Sequence, residues 1–268
     1  MKNVTKAFRQ ALGFVLPCPC LGCGDEVAGG SPGLGLCRPC FGKLAAAGAG
    51  CRGCGRSLRL SGEASLCSRC RKDPPPFRSL EAAWLYRPPF DAVIHGLKFR
   101  RLDYLGEELA DGLAQALRHS LGPDLGGCEV VVAVPLHWVR RLRRGFDQAE
   151  RIARPLARRL ELPFSPCLRR RRPTMARARL GRRQRTDRPI PFSLHRRDEI
   201  TGRRVLLVDD VVTTGSTLRA AARTLREGGA GEVIAATAGR TEITPGNSPA
   251  KPRSAGDPRG NFFSTDSV

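Results

Sequence analysis

The sequence predicts an α/β fold, with a parallel sheet and helices on both of its faces, preceded by a small cysteine-rich unit. Strand patterns alternate with helical patterns over residues 81–240, which is typical of parallel strands joined by right-handed helical crossovers. Most of the 11 cysteines lie between residues 18 and 70. With 268 residues, 41% of them hydrophobic, the chain is long and apolar enough to bury a substantial core.

Three further segments differ in composition from these two. Residues 1–17 combine a few cations with a short apolar stretch, and we expect a lead-in helix there. Residues 71–80, with three consecutive prolines, predict a linker, and residues 241–268, rich in Pro, Gly and Ser, predict a disordered tail. No apolar run reaches the roughly 18–20 residues of a membrane span and no signal peptide is evident, so we expect no transmembrane segment and a cytoplasmic location.

The first half of the large domain contains the patterns of a helix, a strand and a second helix. Leucines recur at helical spacing over residues 102–121, and the run Glu129–Val134 predicts a buried strand. The apolar stripe over residues 146–160 predicts the second helix. We expect Pro155 to kink or split that helix because proline lacks the N–H of a helical hydrogen bond.

The second half adds two strands around a third helix. Val205–Val208 and Val233–Ala236 are short apolar runs that predict buried strands. Leu218–Leu225 carries the helical pattern between them. The alternation therefore continues to the end of the large domain, and we expect these strands to lie parallel in one sheet.

Eight cysteines form four pairs with two residues between the members of each pair. The pairs are Cys20 and Cys23, Cys37 and Cys40, Cys51 and Cys54, and Cys67 and Cys70. Each half of the segment supplies four thiolates, the ligand set of a closed structural zinc site, so we expect two zinc ions. The metal would contribute folding free energy to a segment too small to build a core. Residues 18–70 are therefore predicted to form a double zinc ribbon.

The other cysteines leave alternatives open. Cys18 is an alternative ligand to Cys20, although its spacing to Cys23 is less favourable. Cys128 and Cys167 stand alone and are expected to be core or surface thiols. Free cysteines or a redox pair are the alternative to zinc, and four regularly spaced pairs disfavour it.

The most informative stretch runs from Val205 to Thr217. Two adjacent carboxylates, Asp209 and Asp210, follow the apolar run at the end of the strand, where open α/β sheets bind ligands. The loop that then opens a helix consists of Thr213, Thr214, Gly215, Ser216 and Thr217. Hydroxyls and backbone N–H groups at a helix N-terminus bind phosphate. The carboxylates are placed to accept hydrogen bonds from ribose hydroxyls or to contact those hydroxyls through a bound Mg²⁺.

Residues 205–217 resemble the phosphate-binding signature of the type I phosphoribosyltransferases at every position. The resemblance implies a type I phosphoribosyltransferase-like parallel sheet. It implies that Asp209 and Asp210 hold the 2′- and 3′-hydroxyls of ribose, and that residues 213–217 surround the 5′-phosphate. The implied ligand is phosphoribosyl diphosphate with Mg²⁺, or a related phosphorylated ribose.

Further motifs follow the cysteine pairs in a fixed order: His95-Gly-Leu-Lys98-Phe, then Pro135-Leu136-His137, then Arg144-Gly145-Phe-Asp-Gln. In content and order the chain resembles the ComF family, which joins a double zinc ribbon to a phosphoribosyltransferase domain and includes bacterial competence and DNA-uptake proteins. The resemblance implies that Lys98 binds substrate. It also implies a diphosphate loop at Pro135, Leu136 and His137, with Arg144 and Gly145 beside it.

The chain departs from the family pattern near that loop and in the lid. Asp147 stands where the family has Asn, which adds a negative charge near the expected diphosphate site. Arg177 and Arg188 replace amide residues in the segment that corresponds to the mobile lid. The resemblance alone therefore does not fix the lid chemistry.

A basic stretch from Arg140 to Arg197 carries most of the net charge of +21, and Arg169–Arg172 is an unbroken arginine run. Such a surface binds polyanions with a steep salt dependence. Few aromatic residues are interleaved with the arginines, so base stacking is weakly supported. A solvated charged loop, enriched in Arg by a high-GC genome, is the alternative.

Three functions agree with these features. An enzyme would transfer ribose 5-phosphate from phosphoribosyl diphosphate to a nitrogen acceptor. A non-catalytic module would bind single-stranded DNA and act with competence or recombination proteins, and a sensor of nucleotide metabolism would bind the diphosphate without turnover. We favour the enzyme, while the acceptor and the oligomeric state stay open.

Overall fold

The computed structural model describes residues 19–27, 31–48, 50–55, 66–136, 145–170 and 192–242. The strands are β1 (Leu80–Leu85), β2 (Val130–Ala133), β3 (Phe164–Ser165), β4 (Leu168–Arg170), β5 (Phe192–Leu194), β6 (Arg204–Val212) and β7 (Glu232–Arg240). Five of them form a parallel sheet in the order β1-β7-β6-β2-β3, and β4 and β5 form an antiparallel hairpin. The predicted parallel α/β sheet is confirmed.

Helices cover both faces of the sheet. These are α3 (Phe90–Phe99), α4 (Leu105–Leu121), α5 (Gln148–Arg159) and α6 (Ser216–Glu227), while the short helices α1 (Arg38–Gly42) and α2 (Ser68–Lys72) belong to the cysteine-rich segment. Successive side chains of a strand point to opposite faces, so each face has its own core. Leu206 and Ile234 pack with α3, α4 and α5, whereas Leu207 and Val233 pack with α6. No helix among the described residues combines the length and apolar character needed to cross a bilayer.

Two elements differ in detail from the prediction. β6 continues beyond Val208 to Val212 because β7 pairs with it along this whole length. α5 runs through Pro155 as one helix, so the expectation of a split is wrong, while a kink at Pro155 stays a prediction. The Arg151 carbonyl, which would accept a hydrogen bond from residue 155, lies against Gly106 of α4, and a Cβ atom at residue 106 would be only 2.6 Å from that oxygen. Gly106 therefore lets α4 pack closely against the carbonyl that Pro155 leaves without its helical donor.

The cysteine-rich segment covers the free edge of β1. Ala47 N donates to Ala83 O at 3.0 Å, and Leu85 N donates to Ala45 O at 2.9 Å. An uncovered edge strand would expose unpaired backbone groups, so this segment completes the sheet. The predicted linker overlaps the end of α2 and the start of β1, and its boundaries stay a prediction. The predicted lead-in helix and nearly all of the predicted tail lie outside the described residues.

Candidate functional site

The carboxyl ends of β2 and β6 lie side by side, and the chain leaves these two strands towards opposite edges of the sheet. From β2 the chain continues through α5 to β3, and from β6 it continues through α6, on the other face, to β7. Open α/β sheets bind ligands in the crevice formed at such a point. Most of the described residues that are predicted to bind a phosphorylated ribose lie at or just after these two strand ends.

Asp209 and Asp210 lie near the end of β6, and both side chains are partly exposed. Each carboxylate accepts a local amide: Asp210 N donates to Asp209 Oδ1 at 2.8 Å, and Val211 N donates to Asp210 Oδ1 at 2.7 Å. Desolvation by the surrounding protein raises the pKa of Asp209 well above its usual value, and the neighbouring charge of Asp210 raises it further. Asp209 therefore holds its proton more tightly than an ordinary aspartate.

Lys98, near the end of α3, contacts the second carboxylate. Its Nζ lies 2.5 Å from Asp210 Oδ2, and the two side chains are only 22% and 14% exposed. Because partial burial reduces the screening by water, this pair is stronger than a surface ion pair. The nearby Tyr86 has its pKa raised by burial, and the charge of Lys98 opposes that shift. Helix α3 thus brings a cation to the carboxylate pair.

The loop after β6 presents hydroxyl groups. Thr213, Thr214 and Ser216 are exposed, Thr217 is half-buried, and Thr214 Oγ1 lies 3.1 Å from Ser216 Oγ. Gly215, at φ +74°, is the N-cap of α6 and offers no side chain to the first amides of the helix. These N–H groups and the positive end of the helix dipole favour a bound anion. The loop is therefore suited to a phosphate group.

The segment after β2 is described as far as Leu136 and again from Gly145. Pro135 and Leu136 follow the end of β2, while His137 and Arg144 lie outside the described residues. Gly145 has φ +82°, a conformation that favours glycine, two residues before the N-cap of α5. The described ends of the predicted diphosphate loop therefore both lie beside the crevice.

Asp147, the residue that departs from the family pattern, joins this loop to α5. It is only 6% exposed, and its Oδ1 accepts from Ala149 N at 3.1 Å and from Glu150 N at 3.4 Å. Its Oδ2 accepts from Leu136 N at 2.6 Å. An Asp before a helical apolar stripe is a recognisable N-cap signal, which our sequence reasoning missed. Nothing in the sequence indicated the hydrogen bond between Asp147 and Leu136. Through this bond the carboxylate of Asp147 holds the loop after β2 to the start of α5.

A cavity of about 290 Å³ opens next to the loop, between α5, β3 and the β4–β5 hairpin. Its basic lining residues are Arg154, Arg169, His195 and Arg196. The Arg154 guanidinium lies 4.4 Å from the centre of the Phe164 ring and pairs with Glu150 at 2.7 Å. Part of the predicted basic stretch therefore lies beside the loop after β2.

The paired cysteines form two separate groups of four. The groups are Cys20, Cys23, Cys37 and Cys40, and Cys51, Cys54, Cys67 and Cys70, and within each group all four sulfurs lie within 4.8 Å of one another. One pair in each group, Cys23 with Cys37 and Cys54 with Cys67, is separated by 3.7 Å. Four sulfurs at about 2.3 Å from a tetrahedral zinc would be about 3.8 Å apart. Both groups therefore fit a zinc ion.

Backbone amides build the two groups in the same way. The sulfur of Cys20 accepts hydrogen bonds from the amides of Gly22 and Cys37. In the same way, the sulfur of Cys51 accepts from the amides of Gly53 and Cys67. Amide donors favour the thiolate form that binds metal. A Cβ atom at Gly53 would lie 2.8 Å from Cys70 Sγ, and one at Gly22 would lie 3.0 Å from Cys40 Sγ, so both turns need glycine.

The remaining cysteines lie apart from these groups or outside the described residues. Cys18 is outside them, whereas Cys20 belongs to the first group. Cys128 and Cys167 are buried in the two cores of the sheet. Burial raises the pKa of Cys128 to about 12, as it does for a thiol in apolar surroundings.

Comparisons with known proteins agree with this description. A family model described as a phosphoribosyl transferase domain matches residues 146–266. The DNA utilization protein YhgH of Salmonella typhi is 35% identical over 216 residues, 74% of this chain and 94% of that protein. Competence protein F of Haemophilus influenzae is 31% identical over 188 residues, 68% of this chain and 81% of that protein. A purine phosphoribosyltransferase structure from Pyrococcus horikoshii Ot3 is 18% identical, with a TM-score of 0.29, over 52% of this chain and 84% of that chain.

The two curated relatives match about two thirds or more of this chain and most of their own length. The described residues hold both groups of four cysteines and the parallel sheet that the resemblance implies. The chain therefore belongs to the ComF family, together with YhgH and competence protein F, and its large domain has the phosphoribosyltransferase fold.

Proposed function

We propose that this protein binds phosphoribosyl diphosphate together with Mg²⁺ at the ends of β2 and β6. The observation that carries the proposal is the direct succession of Asp209, Asp210 and the uncapped start of α6. The carboxylates accept hydrogen bonds from ribose hydroxyls, and the loop hydroxyls and amides donate to the 5′-phosphate. The matched phosphoribosyl transferase model supports this class of ligand.

The proposed reaction transfers ribose 5-phosphate to a nitrogen acceptor. The bond between C1 of the ribose and a diphosphate oxygen breaks, and the diphosphate leaves with the electron pair. A bond forms between C1 and the acceptor nitrogen, which loses one proton. Asp209 and Asp210 hold the ribose hydroxyls, so that C1 is positioned for the acceptor before the bond breaks.

The carboxylate pair also offers the oxygen ligands that Mg²⁺ prefers, and the ion would neutralise charge on the diphosphate. Lys98 already neutralises Asp210 at 2.5 Å. We therefore expect Asp209 and Asp210 to bind mainly ribose hydroxyls, and the phosphate oxygens of the substrate to supply most ligands of the ion.

The two groups of cysteines would hold one structural zinc ion each. Their geometry supports this, because each group offers four sulfurs within 4.8 Å of one another, with one pair at 3.7 Å, close to the spacing around a tetrahedral zinc ion. We expect two zinc ions per chain by elemental analysis, and a lower unfolding temperature after chelation because the metal stabilises the segment that covers β1. Full stability with no bound zinc would contradict this assignment.

Calorimetry tests the ribose phosphate site. We expect binding of phosphoribosyl diphosphate with Mg²⁺ and of ribose 5-phosphate, and loss of both in Asp210→Asn. Asp198→Asn, in an exposed turn outside the site, is the matched control. If neither compound binds at millimolar concentration, the proposal is wrong. Diphosphate release with a panel of nucleobases and amines then separates the enzyme from a sensor, which would bind without release.

Binding of single-stranded DNA is a second candidate function, supported by the basic cavity and by the relatives named for DNA utilization and competence. We expect the affinity to fall steeply with salt, because bound phosphates release counterions. Replacing Arg169 and Arg196 with Gln should weaken binding, whereas Arg223→Gln, an exposed change on α6, should not. Equal affinity in both variants would argue against this surface.

A further inference from the structure

The second group of cysteines (Cys51, Cys54, Cys67 and Cys70, the second cluster) packs directly against the start of α6. Arg219 Nη2 lies 3.6 Å from Cys70 Sγ. The same guanidinium bonds Asp73, just after α2, through the carboxylate at 3.1 Å and the backbone carbonyl at 3.0 Å. With its side chain only 15% exposed, Arg219 is held between the second cluster and α6.

The backbone of Arg219 closes the first turn of α6. Its amide donates to the carbonyl of Gly215 at 2.9 Å, and Gly215 is the N-cap of the helix and part of the phosphate loop. One residue therefore contacts the second cluster through its side chain and the phosphate loop through its main chain. The helix end that this hydrogen bond closes is the one that offers its first amides to an anion.

Charge adds to this contact. Four thiolates around one zinc ion carry two net negative charges, so a guanidinium beside them is attracted to the loaded cluster. A second guanidinium, that of buried Arg240 at the end of β7, donates to Ala47 O and packs on Gly55, the residue after Cys54. The second cluster is therefore held to α6 and to β7 by cations of the large domain.

The first group of cysteines (Cys20, Cys23, Cys37 and Cys40, the first cluster) is attached elsewhere and provides an internal control. A Cβ atom at Gly22 would be 2.9 Å from Pro89, just before α3, and Leu34 N donates to Glu108 of α4. Among the described residues, no guanidinium donates to a sulfur of the first cluster. Within the part of the chain that the structure describes, the direct connection to the phosphate loop is made by the second cluster, through Arg219.

We propose that Arg219 is a positioning residue that couples the second cluster to the phosphate site, so that the zinc-loaded cluster raises the affinity for a ribose phosphate. The inference rests on the proposed function of that site. Coupling between two sites is reciprocal, so a bound ribose phosphate must stabilise the second cluster by the same factor. Loss of zinc or oxidation of its thiolates would weaken ligand binding through Arg219.

The test uses the full chain with zinc bound and ribose 5-phosphate as the probe. Alkylation of each cysteine by N-ethylmaleimide is followed by mass spectrometry, with and without the probe. We expect the probe to slow alkylation of Cys54 and Cys67 about fivefold or more, the lower range of typical coupling, and to leave Cys23 and Cys37 unchanged. In Arg219→Gln we expect no protection of either cluster and a similar fold loss of affinity for the probe by calorimetry.

Two further variants separate coupling from a general loss of stability. Arg219→Lys keeps the charge but not the planar fork and should restore part of both effects, whereas Arg223→Gln, one turn further along α6, should behave like the wild type. Protection of both clusters alike, or unchanged protection in Arg219→Gln, would overturn the inference while the proposed function stands. If the wild type does not bind ribose 5-phosphate, this inference fails, and the proposed function fails with it only if phosphoribosyl diphosphate with Mg²⁺ does not bind either.

Discussion

Replacing Asp147 with Asn should loosen the loop after β2 while α5 stays capped. The two carboxylate oxygens have separate partners, since Oδ1 accepts from Ala149 N and Glu150 N and Oδ2 accepts from Leu136 N at 2.6 Å. An asparagine has a single acceptor oxygen, and Asn caps a helix about as well as Asp. If that oxygen keeps the cap, the NH₂ group faces the Leu136 amide, and two donors meet.

The size of the effect follows from the lost bond. A hydrogen bond to a charged group contributes about 1.5–3 kcal/mol, and Asp147 is almost fully buried. Loss of the negative charge near the N-terminus of α5 adds about 0.3–1 kcal/mol. We therefore expect the free energy of unfolding to fall by about 2–4 kcal/mol. If the loss of this hydrogen bond also weakens ligand binding by about 1.4 kcal/mol, the affinity for phosphoribosyl diphosphate falls about tenfold.

Calorimetry with two ligands isolates the loop. Ribose 5-phosphate lacks the diphosphate, so its affinity should change little in Asp147→Asn, while that of phosphoribosyl diphosphate falls. Glu150→Gln removes the same charge from the same turn, where the side chain pairs with Arg154, and serves as the control. Equal losses for both ligands, or a urea unfolding midpoint equal to that of the wild type, would refute the assigned role of Oδ2.

Three other substitutions or measurements test the packing and the charges. The pKa of Asp209 is raised in the folded state, so the folded state binds more protons than the unfolded state, and stability falls as pH rises between the two pKa values. Asp209→Asn should therefore raise the unfolding temperature more in mild alkali than in acid. The opposite order would contradict the raised pKa. Gly106→Ala places a carbon 2.6 Å from the Arg151 carbonyl oxygen, so overpacking of about 1–3 kcal/mol should outweigh a gain of about 1 kcal/mol in helix propensity, and an unchanged urea midpoint would refute the contact. Cys128, with its pKa raised to about 12 by burial, should resist alkylation in the native protein, and rapid labelling would contradict its burial.

The central strands could be predicted because their own residues are sufficient evidence. Val205–Val208 and Val233–Ala236 are apolar on both faces, as strands buried between two layers of helices must be. β1 has no such signal, because its Ala and Glu residues have low strand propensity. It becomes a strand through its neighbours, since β7 pairs with one edge and residues 45–47 cover the other.

In the candidate site, too, features within one stretch of sequence could be predicted, whereas contacts between separate elements could not. The succession of Asp209, Asp210 and the hydroxyl loop lies within one stretch of sequence, so its arrangement could be predicted from the sequence. The contacts of Lys98 with Asp210, of Asp147 with Leu136 and of Arg219 with Cys70 join residues from separate elements. No spacing in the sequence predicts such contacts, because they depend on how α3, α5 and α6 pack around the sheet.

The charge balance at the sheet edge is compatible with the proposed polyanionic ligand, even though the site contains two carboxylates. Two ionised, unpaired carboxylates would repel every phosphate group that approaches. Lys98 neutralises Asp210, and desolvation of Asp209 favours its neutral form, so the edge is less negative than its composition suggests. The positive end of the α6 dipole lies next to this pair and favours an incoming phosphate. The site thus offers two neighbouring surfaces, hydrogen-bond acceptors for the hydroxyl groups of the proposed ligand and hydrogen-bond donors for its phosphate. The distance between the two surfaces is set by the order of residues from the end of β6 to the start of α6.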